Sequence, residues 1–241
     1  MTEFLLKRFE NPERQIYCYD IANESIGIKD SKSINTEIGY FSEAVEKSLN
    51  QSIEQPFSSL LRYIDKIDFD SSGFVLKRGF VEKTRMFMNA LLARDPTVYN
   101  EMRNTSVYLQ LMDEQSQHDL SVMTAIEEIQ KNGLFNEYYP TFTVNKTDIP
   151  FVLPLCGFYW FNRNKNINLP ISPQIAITMV DKEMLDRLVW NGKIRMYLVA
   201  KETEANRLNY FAYHEQKKQG RGIIVSKDIG PLEKMVLPDL I

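Results

Sequence analysis

Apolar residues in this chain keep two different rhythms, and the change falls near residue 134. Behind Ser42, a plausible helix cap, Val45, Leu49, Ile53, Phe57, Leu60, Leu61 and Ile64 recur at the spacing of one helix face. Pro56 falls inside that stripe. It lacks an N–H and its ring crowds the preceding turn, so a kink or two abutting helices is expected there. A second amphipathic run passes through Phe80, Thr84, Phe87, Leu91 and Leu92. Asp95-Pro96 joins a capping side chain to a proline at the first helical position. It opens a third helix over 97–112, with Met102 and Leu109 inward. Leu120, Met123, Ile126 and Gln130 mark a fourth, stopped at Asn132-Gly133.

From Leu134 the apolar runs become short, aromatic or β-branched, and are separated by Pro, Asn and Gly. "YYPTFTVN", "FVLPLCGFYWFN", "INLP", "QIAITMV", "KIRMYLVA" and "RGIIVSK" read as strands. One helix interrupts them over 202–216, with Ala205, Leu208, Phe211 and Ala212 on one face. Near the start, residues 15–20 and 26–34 flank "IANES" as a β-hairpin. The expected fold is a single α+β domain over 1–241, its helical first half packed on a mostly antiparallel sheet formed by the second half. Residues 1–133 hold the hairpin and helices, and 134–241 mainly strands with one inserted helix.

Composition narrows the function classes. With 241 residues, 44% hydrophobic and 25% charged, the chain can bury a sizeable core. A net charge of -3 from nearly balanced acids and bases does not steer it toward nucleic acid or an acidic membrane. The apolar run over 151–161 contains Pro154 and Gly157 and is too short to span a bilayer, so no membrane association is expected. Cys18 and Cys156 are far apart, as are the two histidines His118 and His214. A reduced, cytoplasmic protein with no zinc site and no cofactor is the economical reading. GxSxG, GxxxxGK[ST] and GxGxxG are absent, which removes the common serine hydrolases, P-loop enzymes and Rossmann dehydrogenases.

Candidate chemistry gathers at three places. Asp148, in Thr147-Asp148-Ile149-Pro150, interrupts two strand-like runs where a core pattern would carry Val or Ile. It is either a turn residue serving nearby backbone N–H groups or a carboxylate held at a strand end for chemistry. Glu43, Glu46 and Glu54 share a face of the first helix. They could hold a divalent cation, although a solvated helix flank explains them as well. Arg163 with Lys165, and Lys217 and Lys218 with Arg221, form basic clusters able to meet an anion, with Arg94 as a further contact. The glycines near Arg221 follow a helix, the wrong polarity for a phosphate loop, and "FYWF" over 158–161 gives only weak support for base stacking.

The ordered series "FLLKRF", "QIYCYD", "YFSEAVEKSLNQSIEQP", "LLARDP", "TVNKTDIPFVL", "INLPISPQIAIT" and "NRLNYFAY…GRGIIVS" resembles a widespread bacterial domain of unknown function. Members carry an N-terminal His-Tyr-Val-Pro-type segment, a central Ser-Asp-Asn-Pro-type motif and a later Pro-Leu-Ser-Pro-type motif. Thr147-Asp148-Ile149-Pro150 and Pro170-Ile171-Ser172-Pro173 match the last two, over a similarity running from about Phe4 to Ser226. The histidine segment has no counterpart, since "MTEFLLKRF" begins where it should end. If those histidines carried a reaction, this protein is expected to be truncated, degenerate or non-catalytic.

Two function classes stay open. The first is an interaction or regulatory module, acting on a protein partner or on itself, which the resemblance sets within a phage or mobile-element conflict system. The alternative is a hydrolase-like enzyme acting on nucleic acid or nucleotides, with Asp148, Glu46 and Glu54 as acids, Arg94 as an anion contact and a divalent cation as its only cofactor. Asp148→Asn keeps an acceptor oxygen and removes the charge. Its melting temperature and its activity in the cell are both expected to match the parent; a variant that melts like the parent but loses the cellular phenotype would make Asp148 a reacting group.

Overall fold

The computed structural model describes residues 3–34, 41–70, 73–75, 78–105, 111–161, 166–218 and 222–236. Its strands are β1 (Ile16–Asp20), β2 (Ser25–Lys29), β3 (Tyr138–Asn145), β4 (Leu153–Pro154), β5 (Tyr159–Phe161), β6 (Asn166–Pro170), β7 (Ile175–Asp181), β8 (Val189–Trp190), β9 (Lys193–Ile194), β10 (Tyr197–Val199) and β11 (Ile223–Ser226). Its α-helices are α1 (Glu3–Leu6), α2 (Glu43–Leu49), α3 (Gln55–Ile64), α4 (Arg78–Ala93), α5 (Pro96–Thr105), α6 (Glu114–Asn132), α7 (Lys182–Leu188), α8 (Glu202–Lys218) and α9 (Gly230–Val236). Helices dominate the first half and strands come mostly later, so the class is α+β. The chain forms two compact units. One comprises Met1–Thr36, Asp68–Leu76 and Tyr138–Ile241; the other comprises Glu37–Ile67 and Lys77–Glu137.

In the helical unit, Ser42 caps α2 as its sequence suggests, its Oγ accepting from the Val45 N–H. The Ser42 N–H in turn donates to both carboxylate oxygens of buried Asp119, each at 3.1 Å. Pro56 does not break the helix; α2 and α3 abut through a π turn over Asn50–Glu54. The Gln55 N–H reaches back to the Asn50 carbonyl, and Pro56 falls in the first turn of α3, where its missing N–H is not needed. Leu49, Ile53, Phe57, Leu60, Leu61 and Ile64 are buried, with Val45 half-buried at the end of the stripe. Phe80, Phe87 and Leu91 of α4 are buried too, and the Phe57 and Phe87 rings stack at 3.8 Å and 3°.

Helix α5 begins at Pro96 as expected and is described as far as Thr105; Leu109 and the side chain of Met102 lie outside what the structure describes. Helix α6 starts on Asp113, which accepts from Ser116, and stops at Gly133 in the left-handed region (φ 65°). Its inward face keeps Ile126 and, half-buried, Met123 of the expected one but is otherwise turned. Ser121, Val122, Ala125 and Ile126 are buried while Leu120 and Gln130 are exposed, because small residues let the helix approach closely and Ser121 bonds to its own turn at Gln117.

The other unit carries two larger sheets. β2-β1-β11-β4 is antiparallel throughout, and β10-β3-β7-β6-β5 is antiparallel except where β10 runs parallel to β3. The run over 151–162, read from sequence as one strand, is broken at Pro154 and Gly157 (φ 94°). Its halves β4 and β5 join different sheets.

In the five-stranded sheet, the registers Thr141↔Thr178, Thr178↔Asn168 and Asn168↔Tyr159 align side chains across four strands. Alternation then gives two unlike faces. One holds Phe142, Val144, Ile167, Leu169, Ile177 and Met179, all buried, with Phe69 and Phe74 packed on Phe142. The other holds Thr141, Thr143, Asn145, Asn166, Asn168 and Thr178, which are also buried. Helix α8 covers this polar face. Ala205 packs with Phe151, Ala176 and Val199, and Ala212 and Tyr213 pack in one cluster with Tyr159.

A sealed polar face is stable only if its groups bond to one another. Thr143 and Thr178 join through their hydroxyls at 2.6 Å, and Thr178 donates to Asn168 Oδ1 at 2.6 Å. Asn168 Nδ2 donates to the Tyr159 hydroxyl at 3.1 Å, completing a chain across β3, β7, β6 and β5. Full burial pushes the Tyr159 phenol well above its ordinary range, so it stays protonated.

Two measurements test this packing. Phe87→Ala removes a stacked, fully buried ring and is expected to lower unfolding free energy in urea by about 3–5 kcal/mol. Thr178→Val keeps the side-chain shape but strands Asn168 Oδ1 and the Thr143 hydroxyl, at about 1–3 kcal/mol for a group left unpaired. A Thr178→Val protein as stable as the parent would contradict the hydrogen-bonded chain.

Candidate functional site

The loop around Asp148 is held by asparagines. Asn145 Oδ1 accepts from the Thr147 N–H at 3.0 Å and the Thr147 hydroxyl at 2.7 Å, while its Nδ2 donates to the Ile149 carbonyl at 2.6 Å. From α8, buried Asn209 donates to the Pro150 carbonyl at 2.8 Å and accepts from the Val152 N–H at 3.0 Å. Asp148 is exposed, and its carboxylate has no hydrogen-bond partner among the described residues. The turn expected to rest on Asp148 rests on Asn145 instead, because the asparagine is anchored in β3 and supplies both a donor and an acceptor.

The motif segments meet in this unit. The Phe151 N–H donates to the Pro173 carbonyl at 2.8 Å, joining the Thr147–Pro150 loop to the Pro170–Pro173 turn. Ser172 Oγ accepts from the Ile175 N–H, and Arg8 Nε donates to the Ile171 carbonyl at 2.6 Å. "FLLKRF" therefore reaches the same turn.

Other sequence candidates lie elsewhere. Glu46 is exposed on α2, and Glu54 forms an ion pair with Arg94 at 2.8 Å with both side chains largely buried; all three belong to the helical unit. Lys217 and Lys218 end α8, where they complement the helix dipole. Lys218 pairs with Glu215 at 2.6 Å, and the hydrogen bond to Tyr213 holds Lys217 above the usual lysine range. Arg163, Lys165 and Arg221 lie outside the described residues. Burial pushes the Cys18 thiol up to about 11, which leaves it unreactive at neutral pH. Among the described residues no group of three or more His, Cys, Asp or Glu could hold a metal ion, and no helix is long and apolar enough to cross a membrane.

One concave feature of this unit is a cleft of about 220 Å³ between α8 and the polar sheet face. Thr143, Asn166 and Tyr197 line it from the sheet, and Glu204, Arg207, Leu208 and Phe211 from the helix, with Phe161 and Val199 among the apolar walls. Asn166 Oδ1 and the Tyr197 hydroxyl oxygen are buried, and among the described residues neither has a hydrogen-bond partner. Burial, helped by the negative charge of Asp181, raises the Tyr197 pKa, so its hydroxyl keeps a proton to donate. Glu204 and Arg207 are exposed one turn apart on α8, and among the described residues neither forms an ion pair. The Arg207 guanidinium stands 5.6 Å over the Phe211 ring.

Sequence reasoning named Phe161, Leu208 and Phe211 but passed over Thr143, Asn166, Tyr197, Glu204 and Arg207. Thr and Asn at alternate positions of "TFTVN" and "NINLP" are the ordinary mark of a solvent-facing strand surface. The signal lay in their number together with the apolar face of 202–216, since a helix with that face must cover something.

Residues 3–136 match the family model described as "Protein of unknown function (DUF4238)", while the Thr147–Pro150 and Pro170–Pro173 motifs lie beyond the matched stretch. No curated protein and no solved structure matches the chain. Since the family match spans more than half of its 241 residues, the chain belongs to the DUF4238 family.

Proposed function

We propose that the chain is a ligand-recognition module, an interaction or regulatory protein whose working surface is the cleft beneath α8. One observation carries the reading: Asn166 Oδ1 and the Tyr197 hydroxyl are buried at the cleft, and among the described residues neither has a partner. A buried polar group left unpaired costs about 1–3 kcal/mol, and folded chains keep few of them. In the neighbouring Thr143–Thr178–Asn168–Tyr159 chain each of these side chains has at least one partner, so this face can pair its groups where the fold alone requires it. Two unpaired groups beside one cleft are the pattern of a site completed by its ligand.

What weighs against the hydrolytic alternative is the state of its acids. Glu54 is neutralised by Arg94, and Asp148 stands exposed on a loop that other side chains hold. The cleft itself offers Glu204 as a carboxylate, with no second acid or nucleophile-and-base pair beside it in the lining.

The test needs no knowledge of the ligand. Tyr197→Phe and Asn166→Leu delete the unpaired groups at nearly constant volume. Each is expected to raise unfolding free energy of the unliganded protein by about 1 kcal/mol, read by urea denaturation. If both variants are less stable than the parent, the two groups serve the fold and the reading fails.

A further inference from the structure

Resting on that reading, we infer that the cleft takes the base of a mononucleotide bearing an exocyclic amino group, with its phosphate at Arg207. The order of donors across the sheet sets the inner end. Asn168 Oδ1 can only accept, so the single hydroxyl hydrogen of Thr178 is committed to it. The 2.6 Å contact between Thr178 and Thr143 must then be donated by Thr143, which leaves Thr143 only lone pairs for the cleft it lines. Asn166 Oδ1 is a second acceptor. A ligand entering here must present N–H donors to these two oxygens, while the Tyr197 hydroxyl is left to donate to an acceptor on the same ligand; a carboxylate or phosphate would meet the like-signed oxygens of Thr143 and Asn166.

The walls and mouth set the remainder. Phe161 and Phe211 lie 6.3 Å apart with their rings tilted by 42°, and Leu198, Val199 and Leu208 complete an apolar lining. A planar ring with apolar faces and a donor edge suits such walls. Arg207, exposed and without an ion pair among the described residues, offers its fork of N–H donors at the helix side. A volume of about 220 Å³ is below the roughly 300–1,000 Å³ of pockets that engulf a drug-sized ligand. It favours one base with its phosphate outside over an oligonucleotide. Glu204, one turn before Arg207, disfavours a longer phosphate chain and can accept from a sugar hydroxyl.

Calorimetric titration of the full chain with AMP, IMP, CMP, UMP and adenosine tests the assignment. AMP or CMP is expected to bind at least tenfold more tightly than IMP or UMP, since the oxo bases place an acceptor where the amino group belongs. Asn166→Leu should erase that preference, and Arg207→Met should bring AMP down to the affinity of adenosine, with circular dichroism confirming that both variants are folded. Equal binding of amino and oxo bases, binding of a free amino acid in their place, or no nucleotide binding at all would overturn the assignment. If no nucleotide binds while Tyr197→Phe and Asn166→Leu still stabilise the protein, only the ligand class falls. If those variants destabilise it, the recognition reading falls as well.

Discussion

A polar sheet face placed beneath a helix has lost its water, and the rest of the β-containing unit is arranged around that loss. Thr143, Thr178, Asn168 and Tyr159 replace solvent with one another across four strands. That works only while β3, β7, β6 and β5 keep their register, because a slip of one residue would exchange the buried hydroxyls for Phe142, Ile177 and Ile167. The opposite face supplies that register. Its buried aromatics and aliphatics hold the sheet from behind, so the polar chain can specify geometry without carrying the stability of the sheet alone.

The same constraint explains why asparagine, not aspartate, fixes the motif loops. Asn145 and Asn209 each donate and accept at once, which an ionised carboxylate, an acceptor only, cannot do. Through Asn209, helix α8 is tied to the Pro150 loop; through Phe151 that loop is tied to the Pro173 turn, and Arg8 reaches the same turn. Segments far apart in the chain therefore converge at one end of the sheet that floors the cleft.

Much of the fold was legible in the sequence, and the reasons are local. Ser42, Asp95-Pro96 and Gly133 punctuate helices through their own backbone chemistry, and the stripe from Leu49 to Ile64 declares its buried side by spacing. The strands over 138–145 and 175–181 announce themselves by composition. The candidate site was not legible, since Thr143, Asn166 and Tyr197 become a site only when α8 roofs a face that single-strand patterns assign to water. Asp148 drew attention for breaking a pattern, while Asn145, three residues earlier, holds the turn. Arg94 and Glu54 looked like separate functional groups because an ion pair 40 residues apart leaves no mark on local spacing.

The π turn over Asn50–Glu54 also sets the rotational phase between α2 and α3. Val45, Leu49, Ile53 and Phe57 are spaced by fours, and at 100° per residue three such steps overshoot a straight helix face by about 120°. A widened turn takes up part of that drift, which is why Leu49 and Phe57 are both buried despite it. It reads as a one-residue insertion absorbed in place, with the flanking faces kept in phase and no loop extruded. Removing one residue from Asn50–Glu54 would return this turn to α-helical winding while leaving the Phe57–Phe87 stack on the same side of the helix.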